Sequence, residues 1–177
     1  MKLYSIVRIG LSAALLAICA WINIPFVVTF TMQTFALFLI LCVLGGVEGT
    51  IAIAVYIAIG AVGAPVFAGF TGGFGVIAGP TGGYILGFLL TGAVKMIFDA
   101  AVKNEKLDAL CLSLGLALCY LFGTLRFTAV MGQRGSSYTF WGALLACVLP
   151  YMLPDAAKLA LALFAGKRIK KALRLKK

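Results

Sequence analysis

The chain contains no histidine. That removes the commonest general base and metal ligand, and with it the serine–histidine and histidine–zinc arrangements. Its five cysteines (Cys19, Cys42, Cys111, Cys119, Cys147) show no C-x-x-C spacing, which argues against a zinc site or disulfide framework and leaves them as small apolar packing residues. The few carboxylates form no acid–base pair along the chain. No G-x-x-x-x-G-K-[ST] phosphate loop occurs. Gly73 to Ala78 fits G-x-G-x-x-A, but follows no strand pattern and opens no βαβ unit. The expectation is a protein that is not an enzyme, binds no metal or cofactor, and leaves any ATP hydrolysis to another polypeptide.

Charge is equally scarce. Only 11% of residues are charged and 63% are hydrophobic, with a mean hydropathy of +1.13. No charge lies between Arg8 and Glu48, or between Glu48 and Lys95. As one helix the first gap would run about 58 Å, nearly twice a hydrocarbon core of about 30 Å, so it must turn back. Asn23 and Pro25 supply one break. The same reasoning predicts an all-α, polytopic membrane protein, a single domain over 1–177, with six transmembrane helices near 5–22, 32–46, 49–63, 82–101, 107–125 and 141–166. The first apolar run lacks a small-x-small cleavage site and reads as a span rather than a signal peptide.

The formal net charge of +10 is distributed as a topology signal rather than a nucleic-acid patch. The tail 167–177 (Lys167, Arg168, Lys170, Lys171, Arg174, Lys176, Lys177) marks one side as cytoplasmic and offers contacts to anionic lipid headgroups. Lys2, Arg8, Lys95, Lys103 and Lys106 fall on that side, and Arg126 and Arg134 on the other. Both termini are thus expected in the cytoplasm of a prokaryotic cell, with no nucleic-acid partner.

Two regions break the apolar monotony. The segment APVFAGFTGGFGVIAGPTGGY (64–84) holds two copies of G-x-T-G-G and reads as an extracytoplasmic loop able to fold over a ligand. Phe67, Phe70 and Tyr84 are poor residues for a mere linker. Thr81, Gly82 and Gly83 open the next helix, where small residues serve close packing or present N–H groups to an oxygen. The second region is Asp155 and Lys158, the only charges between Gly135 and Gly166. A charge at bilayer depth costs about 2.5–3.5 kcal/mol on insertion scales, so the pair must face protein, a wet cavity or a bound polar molecule. The structural alternative places Asp155 at a helix N-terminus, beside Pro154, with Lys158 neutralising it. Thr31, Gln33, Thr34 and Tyr56 add polar atoms on the same side, whereas Trp21, Trp141 and Tyr138 read as interfacial anchors. Ala13 and Ala17 form a small-xxx-small pair in the first helix.

FTMQT (30–34), GAPVFAG (63–69), GPTGGYILGF (79–88), CYLFGTLRF (119–127) and PYMLPDAAK (150–158), at their ordered spacing, resemble BioY, the biotin-specific substrate-binding component of energy-coupling factor transporters. The likeness covers nearly the whole chain. It implies a six-helix fold that captures biotin at the extracytoplasmic face, with the glycine-rich loop, including Gly79, as part of the lid. It also implies docking through Ala13 and Ala17 onto a transmembrane coupling protein carrying two ABC-type ATPases, and toppling in the membrane to present the site inward. Asp155 and Lys158 match the family's polar ligand positions. In this reading Asp155 accepts ureido N–H bonds, Lys158 meets the ureido carbonyl or orients Asp155, and Phe67, Phe70 and Tyr84 cover the ring. Arg126 departs from the pattern, since an aromatic residue is expected there, and its reach toward the ligand carboxylate or solvent stays open. A stand-alone facilitator and a binding subunit for another small vitamin remain as alternatives.

Overall fold

The computed structural model describes residues 3–102, 104, 107–135 and 138–172. Lys2, Lys103, Lys106, Arg174, Lys176 and Lys177 lie outside these described residues. Helix α1 (Leu3–Trp21) buries Ile9, Ala13, Leu16, Ala17 and Ala20 at helical spacing. Its exit is not a plain coil: β1 (Asn23–Ile24) and β2 (Phe30–Thr31) pair antiparallel, a detail absent from the all-α expectation. Pro25 explains it, because the residue before proline is pushed toward the β region.

Helix α2 (Gln33–Ala61) breaks at Gly45, whose φ of 79° and ψ of −179° lie outside helical space. Only glycine adopts that geometry readily. A Cβ on Gly49 would lie 3.4 Å from the Leu41 Cα, and Gln33 bonds Tyr56 directly. Eight residues of straight helix would separate Gly49 and Leu41 by about 12 Å. The element is therefore a hairpin with two arms, meeting where the sequence reading left its gap between 46 and 49.

The stretch expected to be an irregular loop contains a 3₁₀ turn (Ala68–Phe70) and α3 (Phe74–Ala78) before α4 begins at Gly82. Helices α4 (Gly82–Ala101) and α5 (Asp108–Gln133) pack closely. A Cβ on Gly87 would fall 2.6 Å from Cys119 Sγ, and one on Gly115 would fall 2.8 Å from Thr91 Cγ2. Small residues at such crossings are the usual means of helix association in lipid. Helix α5 extends well past the expected end at 125, to Gln133, where Arg134 caps it and Gly135 with its φ of 79° turns the chain away.

The last expected helix is two, α6 (Phe140–Cys147) and α7 (Leu149–Ala172), bent by 43° at Val148. Pro150 lacks the N–H that would continue α6. The four helices α1, α2, α4 and α5 are long and apolar enough to cross a membrane, and the bent α6–α7 pair brings the candidates to five.

The basic residues are not all free topology signals. Lys95 is fully buried and donates to Asp99 Oδ1 at 2.6 Å and to Asp108 Oδ1 at 2.8 Å. Asp99 Oδ2 in turn accepts the Gly46 N–H at 2.8 Å, so the cluster ties α4 and α5 to the α2 hairpin turn. Nearby, Arg8 pairs with Glu48 at 3.0 Å and brings α1 to the same turn. All five cysteines are buried.

Candidate substrate-binding cavity

A cavity of about 460 Å³ opens among α2, α4, α5 and α7, beneath the segment 67–81. Its deep wall is made by buried Phe88, Leu116, Cys119, Asp155 and Lys158. Its rim is marked by the exposed residues Thr71, Gly75 and Arg134.

Asp155 and Lys158 sit one turn apart on α7, 3% and 7% exposed, with Lys158 Nζ 2.7 Å from Asp155 Oδ1. Asp155 is six residues past the start of α7, so the helix-terminus reading is ruled out. Both side chains line the cavity, yet neither depends on the other alone. Asp155 Oδ1 also accepts from Thr34 Oγ1 at 2.8 Å, and Oδ2 accepts from the Tyr120 hydroxyl at 2.6 Å. Lys158 donates to the Thr31 carbonyl at 2.8 Å and to Thr34 Oγ1 at 3.1 Å, and stands 3.9 Å over the Phe30 ring. An ammonium has three donors and an ionised carboxylate about four acceptor sites. Every Lys158 donor is therefore used, while Asp155 keeps one acceptor site open on Oδ2. The pair is stable before anything enters and still presents one strong acceptor.

The hydroxyl of Tyr151, another lining residue, donates to the Val28 carbonyl, and its ring stacks on Phe30. Gln33 donates to the Tyr56 hydroxyl at 2.6 Å, and Tyr56 donates to the Val66 carbonyl at 3.1 Å. This relay pins the start of the lid segment to both arms of α2. Phe67 then packs edge-on against Tyr56 and fills the space left by Gly60. Tyr84 is held by its hydroxyl contact with Thr124 at 3.1 Å.

Of the site residues singled out from the sequence, Asp155, Lys158, Tyr84, Gly79, Thr81, Phe67, Thr31, Gln33 and Thr34 line the cavity. Five do not. Phe70 turns outward, 62% exposed, and stacks on Trp21 at 4.9 Å. Trp21 itself donates to the Pro65 carbonyl at 3.0 Å, so it ties α1 to the lid rather than only anchoring at an interface. Tyr56 stands behind Gln33, one layer out from the cavity. Arg126 donates to the Ile77 carbonyl at 3.0 Å, clamping α3 to α5, and its stem lies on Gly83. A side chain on Gly82 would strike Ile77, so Gly82 and Gly83 serve close packing rather than contact with an occupant. Ala13 and Ala17, expected to face a partner, are buried in the chain's own core cluster. The uncovered face of α1 carries Gly10 and Ala14 instead.

Tyr120, Tyr151 and Arg134 were not singled out as site residues from the sequence. A tyrosine in an apolar helix reads as packing or an interfacial ring, and only the neighbouring carboxylate gives Tyr120 its meaning.

Apolar helices of spanning length around a cavity with a buried ion pair on its wall define a multi-pass membrane protein built to enclose a small polar molecule. The chain belongs to the BioY family, whose sequence model matches residues 1–175. It is 37% identical to the biotin transporter BioY of Thermotoga maritima, over 94% of this chain and 95% of that one. It is 35% identical to a probable biotin transporter BioY of Pyrococcus horikoshii, over 96% and 98% of the two chains. The fold matches a crystal structure of the S-component for biotin from an ECF-type ABC transporter with a TM-score of 0.83 at 21% identity, covering 96% and 92% of the respective chains.

Proposed function

We propose that this protein is the biotin-binding membrane subunit of a vitamin uptake transporter. The observation that carries the reading is the Thr34–Asp155–Tyr120–Lys158 cluster on the cavity wall, with one carboxylate acceptor left open. The ureido ring of biotin offers N–H donors on a compact neutral group. Asp155 accepts one of them through Oδ2, a charge-assisted bond about twice as strong as a neutral one. Lys158, with all its donors engaged, orients the carboxylate rather than meeting the ligand. Phe67, Tyr84, Ile85 and Phe88 supply apolar surface for the thioether ring, and Gly79 and Thr81 belong to the lid above it.

Each arm of the α2 hairpin counts as one crossing and the α6–α7 pair as another, giving six. The excess of lysine and arginine at the α7 terminus supports cytoplasmic ends and an outward-facing cavity. With no nucleotide-binding motif in the chain, transport draws on a separate coupling protein and two ATPases. They dock on the exposed face of α1 around Gly10 and Ala14. No cofactor is required by the binding subunit itself.

Calorimetric titration of the purified protein with biotin and other small vitamins tests the reading. Saturable binding of biotin alone is expected, and silence toward biotin contradicts it. In liposomes the chain by itself is expected to bind but not accumulate biotin, with uptake appearing only on addition of the coupling protein and ATPases. Sustained uptake by the isolated chain would assign it a facilitator's mechanism.

The lid depends on a missing side chain. A Cβ at Gly60 would lie 2.5 Å from Phe67 Cε1, and Phe67 is 1% exposed and lines the cavity. Overpacking of this kind costs about 1–3 kcal/mol. Gly60→Ala is expected to weaken biotin binding about five- to tenfold by pushing Phe67 into the ligand's space. An unchanged Kd would show that Phe67 does not bound the site.

A further inference from the structure

The cavity is not electrically neutral. Three charged residues line it: Asp155 and Lys158, which cancel at 2.7 Å, and Arg134. Helix α5 ends at Arg134 because Gly135, with φ of 79°, turns the chain out of the helix, and this sets the guanidinium on the rim. Among the described residues no side-chain hydrogen bond or ion pair engages it. The lining thus carries one uncompensated positive charge with a planar set of unused donors, a group suited to bidentate recognition of a carboxylate.

The geometry separates this charge from the deep cluster. From Tyr120, which holds Asp155, to Arg134 the helix advances about 21 Å at 1.5 Å per residue, and both residues line the cavity. The cavity therefore has a carboxylate acceptor at the floor and a free cation at the rim. We infer that Arg134 is the specificity-determining residue for the ligand's anionic end, so that the site takes a rod-shaped monoanion with a neutral donor head and a carboxylate tail. This rests on the assignment of biotin to the cavity and adds the residue that selects its charged form. Arg126, the other arginine on α5, donates from Nη2 to the Ile77 carbonyl and does not line the cavity, whereas Arg134 does. A cation also suits the negative end of α5, a purely structural role that would be indifferent to the ligand's charge.

Biotin and biotinamide, which differ only in whether the tail is charged, separate these roles. Titrations of the wild type, Arg134→Gln and Arg134→Lys with both ligands are compared. Wild type is expected to prefer biotin, with the preference shrinking as ionic strength rises. Arg134→Gln is expected to lose about five- to tenfold in biotin affinity while its biotinamide affinity stays within twofold, which also shows that the cavity is folded. Arg134→Lys is expected to recover part of the preference. A biotin-to-biotinamide ratio in Arg134→Gln equal to that of wild type overturns the inference, whatever happens to thermal stability. If wild type binds neither ligand, the assignment of biotin falls, and the tail assignment with it. If it binds both equally, only the tail assignment falls.

Discussion

Replacing Asp155 with asparagine is expected to weaken biotin binding at least tenfold and to destabilise the apo protein as well. Both effects follow from the same contacts. The substitution removes the charge-assisted acceptor offered to the ureido N–H. It also strips the partner from Lys158, an ammonium only 7% exposed. Removing one member of a buried ion pair costs about 3–5 kcal/mol, because the remaining charge is left uncompensated. A single variant therefore confounds binding with folding, and the double variant Asp155→Asn with Lys158→Met separates them. Taking away both charges should restore much of the melting temperature, since neutral replacements of buried pairs are often tolerated. Binding should stay lost. Melting curves and titrations of the three proteins decide the matter. A double variant that binds biotin with wild-type affinity would reduce the pair to a structural strut.

Lys95→Ala is expected to show the opposite pattern, a large loss of stability with ligand selectivity preserved. Lys95 is fully buried and joins two carboxylates from α4 and α5, one of which also holds the Gly46 N–H at the α2 hairpin turn. Its removal leaves like charges facing each other in an apolar interior and loosens three elements at once. The cost is about 3–5 kcal/mol, on the order of 10 °C in melting temperature for a chain of this size. None of Lys95, Asp99 and Asp108 lines the cavity. The surviving folded fraction should accordingly keep its preference for biotin over other vitamins. A melting point within two or three degrees of wild type would show that the cluster contributes little to holding the bundle together.

The contrast between these two clusters explains what could be seen in the chain alone. Asp155 and Lys158 were legible because two charges in a long apolar run have few physical justifications. Lys95 was harder: in one dimension it looks like a basic residue at a helix end, and although Asp99 lies one turn on along α4, its second partner, Asp108, lies across a loop on α5. The turn between the arms of α2 was legible from length, whereas the two-residue strands from Asn23 onward were too short to leave a pattern. Phe67 and Phe70 look alike in sequence, yet a 3₁₀ turn between them points one inward and the other onto Trp21. Arg126 and Arg134 pose the same difficulty on α5. Nothing local to either reveals which face of the helix looks into the cavity. Ala13 and Ala17 pose a related difficulty, since a small-xxx-small pair serves an internal contact as well as an external one, and their burial in the core is not visible in the chain alone.

The central claim is that Asp155, held by Tyr120, Thr34 and Lys158, completes its bonding with a ureido N–H inside the cavity. The most direct test is calorimetric titration of the purified wild-type protein with biotin and with an analogue methylated on both ureido nitrogens. One-to-one binding of biotin and at least tenfold weaker binding of the methylated analogue are predicted. Equal affinity for the two would contradict the account, because the ligand would then be recognised without the donor that the open carboxylate acceptor is arranged to meet.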